Sequence, residues 1–273
     1  MKPLGKERKT RIIAIANQKG GVGKTTTVIN LSACLAQLGK KILVIDLDPQ
    51  ANATSGLGLP PQKGSSMYQA MLGQENAVGL ICKTNVKNID IIPSELDLAG
   101  SEVDVARMDN YLHCFKNALA PLFEKGAVRS KKKKYDYIFI DCPPSLGILT
   151  MNALASADSV IIPMQCEYYA LEGLSVIARL LERLREGNAN PNIEIEGVLM
   201  TMFDSRTRLA AEVIKEVRKH FRKKVFKTLI PRNVRLSEAP SFGKPVIQYD
   251  RSSKGSKAYM KLAKEFLKRT SKR

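Results

Sequence analysis

The chain has few of the residues and segments that mark several common protein classes. No apolar run approaches the roughly 18–20 residues that a membrane-spanning helix needs. Residues 1–6 lack the apolar stretch of a secretory signal. The two histidines, His113 and His220, stand alone in the sequence, which is typical of satisfied or solvent-facing side chains. We therefore expect a globular protein of the cytoplasm.

Cysteines with the spacing of a metal site or a disulfide framework are absent too. The five cysteines are far apart and include no Cys-x-x-Cys pair: Cys34, Cys82, Cys114, Cys142 and Cys166. We interpret them as small core residues. An iron–sulfur reductase component would need cysteines paired across a dimer, and Cys142 alone is weak support for one. A dehydrogenase would need a Gly-x-Gly-x-x-Gly fingerprint, which the sequence lacks.

Positive charge, by contrast, is abundant and unevenly distributed. The net charge is +18, and residues 201–273 hold 21 Lys and Arg against 6 Asp and Glu. A folded segment this basic usually meets a polyanion, either nucleic acid or an anionic membrane surface. A second basic run, at residues 129–134, is typical of a solvated loop, with DNA contact as the alternative.

Short apolar segments rich in β-branched residues alternate with helical patterns along the chain. Strands are predicted at residues 12–16, 42–45, 89–92, 137–140, 159–163 and 195–200. Helices are predicted at residues 25–38, closed by Gly39, and at 171–185, closed by Gly187. This alternation predicts a single-domain α/β fold, with a mainly parallel twisted sheet and helices on both faces. Ligands then bind at the carboxyl ends of the strands.

A glycine-rich octapeptide follows the first predicted strand. It reads Lys19-Gly20-Gly21-Val22-Gly23-Lys24-Thr25-Thr26. A turn of this kind between a buried strand and a helix aims backbone N–H groups at one point, while Lys24 adds a charge and Thr25 a metal-ligand hydroxyl. We expect it to bind a nucleotide polyphosphate with Mg²⁺. The usual pattern has glycine where Gln18 stands, and the additional Lys19 is free to reach a nucleotide bound by a second subunit.

Carboxylates follow two of the predicted strands. Asp46 and Asp48 follow the strand at 42–45 and share a face by strand alternation, so both could approach a metal or an attacking water. Asp141 follows the strand at 137–140, where phosphate-loop enzymes carry a carboxylate that holds Mg²⁺ directly or through water. Pro143 and Pro144 then force a turn, which suggests a switch that senses the γ-phosphate.

Four separated segments resemble one known family. They are the octapeptide, Asp-Leu-Asp-Pro-Gln at 46–50, Asp-Cys-Pro-Pro-Ser at 141–145, and Pro-Arg-Asn-Val-Arg-Leu-Ser-Glu-Ala-Pro-Ser at 231–241. Their order and spacing resemble the ParA/Soj chromosome-partitioning ATPases, part of the deviant Walker A class that also contains MinD. The resemblance runs from about residue 11 to about residue 268. It implies a phosphate-loop NTPase domain at 11–273 after a basic tail at 1–10.

The resemblance implies a role for each matching residue of the nucleotide site. Lys24 would bind the β- and γ-phosphates of ATP, and Thr25 would ligate Mg²⁺ with Asp141 behind the metal. Lys19 would cross a dimer interface to the partner's nucleotide, and Asp48 would orient the hydrolytic water. The remaining residues would wrap the phosphates or, for the last two, line the adenine: Gly20, Gly21, Val22, Gly23, Thr26, Pro231 and Asn233.

The family also implies partners. Two ATP molecules would be sandwiched in a homodimer that binds double-stranded DNA nonspecifically on the nucleoid, and a ParB-type centromere-binding protein would stimulate the slow hydrolysis that releases it. Arg206 and Arg235 match arginines that contact DNA. Further basic residues along a predicted helix extend this region, unless they form a solvated face: Lys215, Arg218, Lys219, Arg222 and Lys223. The short segment before the octapeptide leaves no room for a helix-turn-helix domain, so we expect binding without sequence preference.

Two alternatives stay open. A MinD-like ATPase would cycle on membranes, and residues 258–269 do place Tyr259, Leu262, Ala263 and Phe266 on one face of a basic helix. Such a stripe is more often packed on the domain core, and residues 231–241 resemble ParA/Soj and not MinD. The second alternative is a DNA-binding scaffold that never hydrolyses ATP, which would require Asp48 to be idle.

Overall fold

The computed structural model describes residues 10–124, 135–167 and 170–271. The basic run at 129–134, and the basic tail apart from residue 10, lie outside the described residues. Within them, one seven-stranded sheet has the order β3-β4-β2-β5-β1-β6-β7. The strands are β1 Arg11–Ile15, β2 Ile42–Asp46, β3 Cys82–Lys83, β4 Ile89–Ile92, β5 Tyr137–Asp141, β6 Ser159–Gln165 and β7 Glu194–Thr201.

Every neighbouring pair of strands is parallel except β3 with β4. The helices are α1 Lys24–Gln37, α2 Asn52–Gly56, α3 Tyr68–Met71, α4 Ser101–Ala106, α5 Cys114–Leu119, α6 Ile148–Ser156, α7 Ala170–Glu186, α8 Arg208–Phe221, α9 Val234–Glu238, α10 Val246–Tyr249 and α11 Lys254–Thr270. The predicted single-domain α/β fold with a mainly parallel sheet is confirmed. The two-residue strand β3 was not predicted, because so short a segment carries no periodic pattern.

Each face of the sheet packs against its own apolar cluster. In β2, Leu43 and Ile45 belong to one cluster, and Ile42 and Val44 belong to the other. All five residues of this strand are buried because helices cover both faces of the sheet. Because both faces are covered, a ligand can reach the sheet at the carboxyl ends of its strands.

The C-terminal helix α11 contributes its apolar stripe to the core. Tyr259, Leu262, Ala263 and Phe266 are fully buried in the cluster shared with α1. The Tyr259 hydroxyl lies 3.1 Å from the Thr27 hydroxyl of α1. The expectation that this stripe packs on the domain is confirmed. Among the described residues, no helix combines the length and hydropathy that crossing a membrane requires.

The two predicted helix ends differ in outcome. Gly39 follows α1 with a φ of +81°, in the left-handed region that favours glycine. After α7, the residue with positive φ is Asn188 at +57°, and not the predicted Gly187. The Gly187 N–H still donates to the Arg183 carbonyl oxygen at 2.9 Å, so the helical turn continues one residue further than expected. Asparagine tolerates this backbone conformation better than most residues.

Candidate active site

The predicted nucleotide residues converge at the carboxyl edge of three adjacent strands. The turn from β1 into α1 carries the octapeptide, and β5 lies between β1 and β2. In the strand register, Asp141 pairs with Ile15 on one side and with Asp46 on the other. The octapeptide and the predicted carboxylates therefore lie at one point of the fold.

The octapeptide forms a tight loop that only glycine fits at two positions. Gly21 has a φ of +72° and Gly23 a φ of +87°, where a side chain would be strained. The Gly23 carbonyl oxygen accepts bonds from the Thr27 N–H at 2.9 Å and from the Thr27 hydroxyl at 2.7 Å. Because α1 begins at Lys24, its free N–H groups and the positive end of its dipole face the loop.

The Lys24 side chain is held in the interior beside the loop. The residue is 6% exposed, and its ammonium donates to the Lys19 carbonyl oxygen at 3.2 Å. Burial lowers the pKa of Lys24, while the charges of Asp141 and Asp48 act in the opposite direction. A buried cation with spare hydrogen-bonding capacity can bind phosphate oxygens strongly.

Asp141 is a fully buried carboxylate, and neither oxygen has a well-formed hydrogen bond among the described residues. Burial, and next the charge of Asp46, raise the pKa of Asp141 well above its ordinary value, while Thr25 and Lys24 act to lower it. An unsatisfied buried carboxylate is costly, so a cation or its bound water fits here.

The donor set near Asp141 suits Mg²⁺ in particular. In the described residues, no three His, Cys, Asp or Glu side chains are grouped to hold a metal on their own. Mg²⁺ in nucleotide enzymes takes one or two protein oxygens and completes its shell with phosphates and water. Thr25 and Asp141 are such oxygens, and they lie at the start of α1 and the end of β5.

The two carboxylates after β2 have different environments. One Asp46 oxygen accepts bonds from the Thr54 N–H at 2.8 Å and from the Thr54 hydroxyl at 2.7 Å. Burial raises the pKa of Asp46 to about 6, although these bonds act to lower it. Asp46 therefore holds the start of α2, and its approach to a metal or a water stays a prediction. Asp48 is 6% exposed, and one of its oxygens accepts the Gln50 N–H at 3.0 Å.

Two residues that the sequence did not single out support the loop. The Thr201 hydroxyl, at the end of β7, lies 2.8 Å from the Val22 carbonyl oxygen and 3.1 Å from that of Met164. The Gln165 side-chain amide, at the end of β6, donates to the Gly21 carbonyl oxygen at 3.0 Å. Polar side chains at the carboxyl ends of predicted parallel strands were the signal that could have identified them.

A cavity of about 640 Å³ opens beside the loop. Gly23, Thr26, Pro231 and Asn233 line it, so the structure brings the two predicted adenine-side residues next to the octapeptide. The Asn233 side-chain oxygen is buried and has no hydrogen-bond donor among the described residues. The cavity is in the size range of small-ligand sites.

Lys19 lies at the mouth of the loop and is turned away from the Lys24 site. Its ammonium forms an ion pair with Glu167, which follows β6, and its N–H donates to the Asn17 side-chain oxygen at 3.0 Å. Both charged side chains of the ion pair are about half exposed. Such a pair contributes little free energy and exchanges partners readily. The role of Lys19 across a dimer interface stays a prediction.

The two predicted DNA-contacting arginines are exposed, and each is paired with a carboxylate. Arg206 contacts both oxygens of Asp204, with its Nη2 at 2.6 Å from Oδ2. Arg235 lies 2.7 Å from Glu238 and 3.4 Å from Asp250. The other basic residues of this region are also exposed: Lys215, Arg218, Lys219, Arg222 and Lys223.

Helix α8 ends earlier than the basic region that it carries. The helix stops at Phe221, and Arg222 begins a separate 3₁₀ turn, Arg222–Lys224, with a φ of +43°. Arg222 and Lys223 therefore lie past the helix, and the expectation of one continuous basic helix was wrong at this end. The opposite face of α8 packs on the core through Ala210, Val213, Ile214 and Val217.

Replacement of Thr201 tests whether β7 supports the loop. Thr201→Val keeps the side-chain shape and removes the hydroxyl that contacts the loop carbonyl of Val22. We expect ATP affinity to fall about tenfold, because a buried carbonyl left without its donor costs about 1–3 kcal/mol. Titration with a fluorescent ATP analogue measures this. Thr201→Ser, which keeps the hydroxyl, should bind like the wild type, and equal weakening by both variants would contradict the assigned hydrogen bond.

Comparison with known proteins agrees with this geometry. A family model described as "AAA domain" matches residues 10–195. The sporulation initiation inhibitor protein Soj of Bacillus subtilis is 52% identical over 256 residues, which cover 93% of this chain and 97% of Soj. The chromosome partitioning protein ParA of Myxococcus xanthus is 50% identical over 260 residues, which cover 95% and 88% of the two chains.

A solved structure extends the comparison to the fold. Cobyrinic acid a,c-diamide synthase from Mycobacterium smegmatis, with a bound ATP analogue and magnesium, superimposes with a TM-score of 0.80. It is 34% identical, and the match covers 96% of each chain. The sequence matches over nearly the full length, together with the phosphate loop and its carboxylates, confirm the resemblance. The chain belongs to the ParA/Soj family of chromosome-partitioning ATPases.

Proposed function

We propose that this protein binds ATP with Mg²⁺ and hydrolyses it slowly as part of a DNA-partitioning cycle. The observation that carries the proposal is the meeting of Lys24 with the carboxylate of Asp141, both buried, at the phosphate loop. At one glycine-rich loop, the ammonium can bind the phosphates and the carboxylate can bind the metal of a metal–polyphosphate complex. Two relatives support the same cycle, because they are named as the chromosome partitioning protein ParA and the chromosome-partitioning ATPase Soj.

Each part of the ATP has a place among these residues. The triphosphate lies along the loop backbone and Lys24, and Thr25 and Asp141 hold Mg²⁺, which neutralises charge on the phosphates. The base enters the cavity lined by Pro231 and Asn233.

Hydrolysis needs a residue that positions water and a second subunit that completes the site. Asp48 is buried beside the loop and provides a carboxylate oxygen for the attacking water. Lys19 exchanges its exposed partner Glu167 for the phosphates bound by a second copy of the chain. ATP thereby joins two subunits, and its hydrolysis separates them.

The ATP-bound dimer then binds double-stranded DNA without sequence preference, and a ParB-type centromere-binding protein stimulates its release. The support is the positive charge of residues 201–273, which contain 21 basic and 6 acidic residues. Two subunits joined by ATP roughly double the number of DNA phosphates contacted. On this proposal the protein is cytoplasmic and associates with the nucleoid.

One binding experiment tests the proposal against the membrane alternative. Unrelated duplex DNA is titrated with protein in gel shifts with ATP, with ADP, and with ATP plus anionic liposomes. We expect retardation with ATP, little with ADP, and no sedimentation of the protein with liposomes, because the apolar stripe of α11 is buried. Binding to liposomes and not to DNA would refute the proposal.

The salt dependence of DNA binding gives a quantitative prediction. If the dimer contacts about six phosphates, affinity should fall about a thousandfold between roughly 50 and 200 mM salt, because bound DNA releases counterions. Fluorescence anisotropy with a labelled duplex measures the slope, and ATP binding at the same salt concentrations serves as the control. A flat salt profile would show that phosphate contacts do not carry the binding.

A further inference from the structure

The exposed face of α11 carries a regular row of lysines. Lys257, Lys261, Lys264 and Lys268 recur at intervals of four, three and four residues, so they lie on one side of the helix. All four are exposed, whereas the opposite side of the helix is buried. The row extends about 16 Å along the helix at 1.5 Å per residue. We refer to these four residues as the lysine row.

In the part of the chain that the structure describes, no carboxylate pairs with the lysine row. Glu265 is the only acidic residue of α11, and it accepts the Lys227 N–H at 2.8 Å, the Thr228 N–H at 2.9 Å and an Arg269 N–H at 2.6 Å. None of the lysines in the row forms an ion pair with any residue that the structure describes. The charges of the row are therefore available to an external anion.

The lysine row differs in this respect from the two arginines that match DNA contacts, because both arginines are paired with carboxylates. Arg206 is engaged by Asp204, and Arg235 is engaged by Glu238 and Asp250. DNA phosphates must displace those carboxylates before they gain the full attraction of the arginines. The lysine row requires no such exchange. Each lysine that contacts a phosphate therefore gains the free energy of counterion release without first losing a carboxylate partner.

A groove lies along the lysine row. Lys257, Lys261 and Lys264 line it together with Arg251, and the volume is about 430 Å³. Gln37 at the end of α1 and Ile247 of α10 line it too, and none of the described residues that line the groove is acidic. A concave surface with four cations can follow a chain of phosphates, where a single exposed lysine would make only one contact.

We propose that the lysine row and its groove form a further DNA-contacting surface, which binds the phosphates of the duplex backbone. The proposal rests on the proposed function, because it concerns the same polyanion. The surface adjoins the predicted contact at Arg235, since α9 packs on the start of α11 at Gly255 and Leu236, and Arg235 pairs with Asp250 beside Arg251.

DNA suits this surface better than an anionic membrane does. A helix that lies on a membrane needs an apolar face to insert between the lipids. In α11 the apolar residues Tyr259, Leu262 and Phe266 are packed on α1, so the helix presents mainly charge to solvent. The DNA backbone offers a regular array of phosphates and requires no apolar insertion, so it is the better partner for a charged surface of this kind.

Paired charge-removal variants test the proposal. Lys261→Ala with Lys264→Ala should weaken ATP-dependent binding to an unrelated labelled duplex about tenfold or more at about 100 mM salt. It should also lower the slope of log affinity against log salt by about one for each lysine that contacts a phosphate, up to about four for the two subunits of the dimer. The control pair, Lys63→Ala with Lys116→Ala, removes the same charge from exposed positions outside α11 and should leave both quantities near wild type. ATP affinity and thermal melting should be unchanged in both pairs.

The outcomes separate this proposal from the function on which it rests. Lys261→Arg with Lys264→Arg keeps the charge and should bind DNA like the wild type. Equal affinity and slope for wild type and the Ala pair would overturn the proposal while leaving DNA binding intact. If the Ala pair weakened binding to phosphatidylglycerol vesicles and left DNA binding unchanged, the proposal would be overturned in favour of a membrane contact. A wild-type protein that fails to bind DNA with ATP would refute the proposed function as well.

Discussion

Lys24→Ala should reduce ATP affinity by at least about a hundredfold, the largest effect that we expect of any single substitution in the loop. Lys24 is buried, and its ammonium donates a hydrogen bond to the Lys19 carbonyl oxygen. Charge-assisted bonds to phosphate contribute about 1.5–3 kcal/mol each, and a buried lysine can make more than one of them. The substitution also leaves Asp48 and Asp141 without their nearest opposing charge, so the site would repel a polyphosphate.

Calorimetric titration with ATP and Mg²⁺ measures this loss, and Lys19→Ala is the matched control. Lys19 is exposed and pairs with Glu167, so its removal should preserve ATP binding by the monomer and prevent the ATP-dependent dimer. Sedimentation velocity with ATP distinguishes the two variants. Unchanged ATP affinity in a folded Lys24→Ala protein would refute the phosphate-loop assignment. A normal dimer in Lys19→Ala would refute only the role across the interface.

The sequence predicted the nucleotide edge of the fold well because its signals are local. A loop of closely spaced glycines needs positive φ at Gly21 and Gly23, and a carboxylate directly after a buried strand must lie at the edge of the sheet. Asp48 and Asp141 could therefore be placed beside the loop without knowledge of the tertiary packing.

Long-range contacts were beyond the sequence for a physical reason. Thr201 contacts Val22 although the two residues are 179 positions apart, and the strand order that brings them together depends on packing over both faces of the sheet. Strand alternation predicted a shared face for Asp46 and Asp48, but β2 ends at Asp46, and the contact of Asp46 with the Thr54 hydroxyl depends on the position of α2. Pairing of Lys19 with Glu167 likewise arises where the end of β6 meets the loop.

Asp48→Ala should stop hydrolysis and retain the ATP-bound dimer on DNA. The carboxylate is buried near Lys24, and its loss removes the group that orients the attacking water. We expect the rate of ATP hydrolysis to fall by about a hundredfold or more, the usual contribution of a positioned acid–base group. ATP binding should persist because the loop and Lys24 are intact. Phosphate release assays and DNA-bound lifetimes by surface plasmon resonance measure the two effects.

Two further substitutions decide whether this effect is chemical or structural. Asp48→Asn keeps an oxygen that can accept the Gln50 N–H, so it should preserve the local turn and still fail in hydrolysis. Asp46→Ala removes the acceptor for both the N–H and the hydroxyl of Thr54, so it should lower thermal stability and not trap a dimer. An Asp48→Ala protein that stays monomeric with ATP would refute the prediction that loss of Asp48 traps the ATP-bound dimer. Normal hydrolysis in that variant would instead favour a DNA-binding scaffold in which Asp48 is idle.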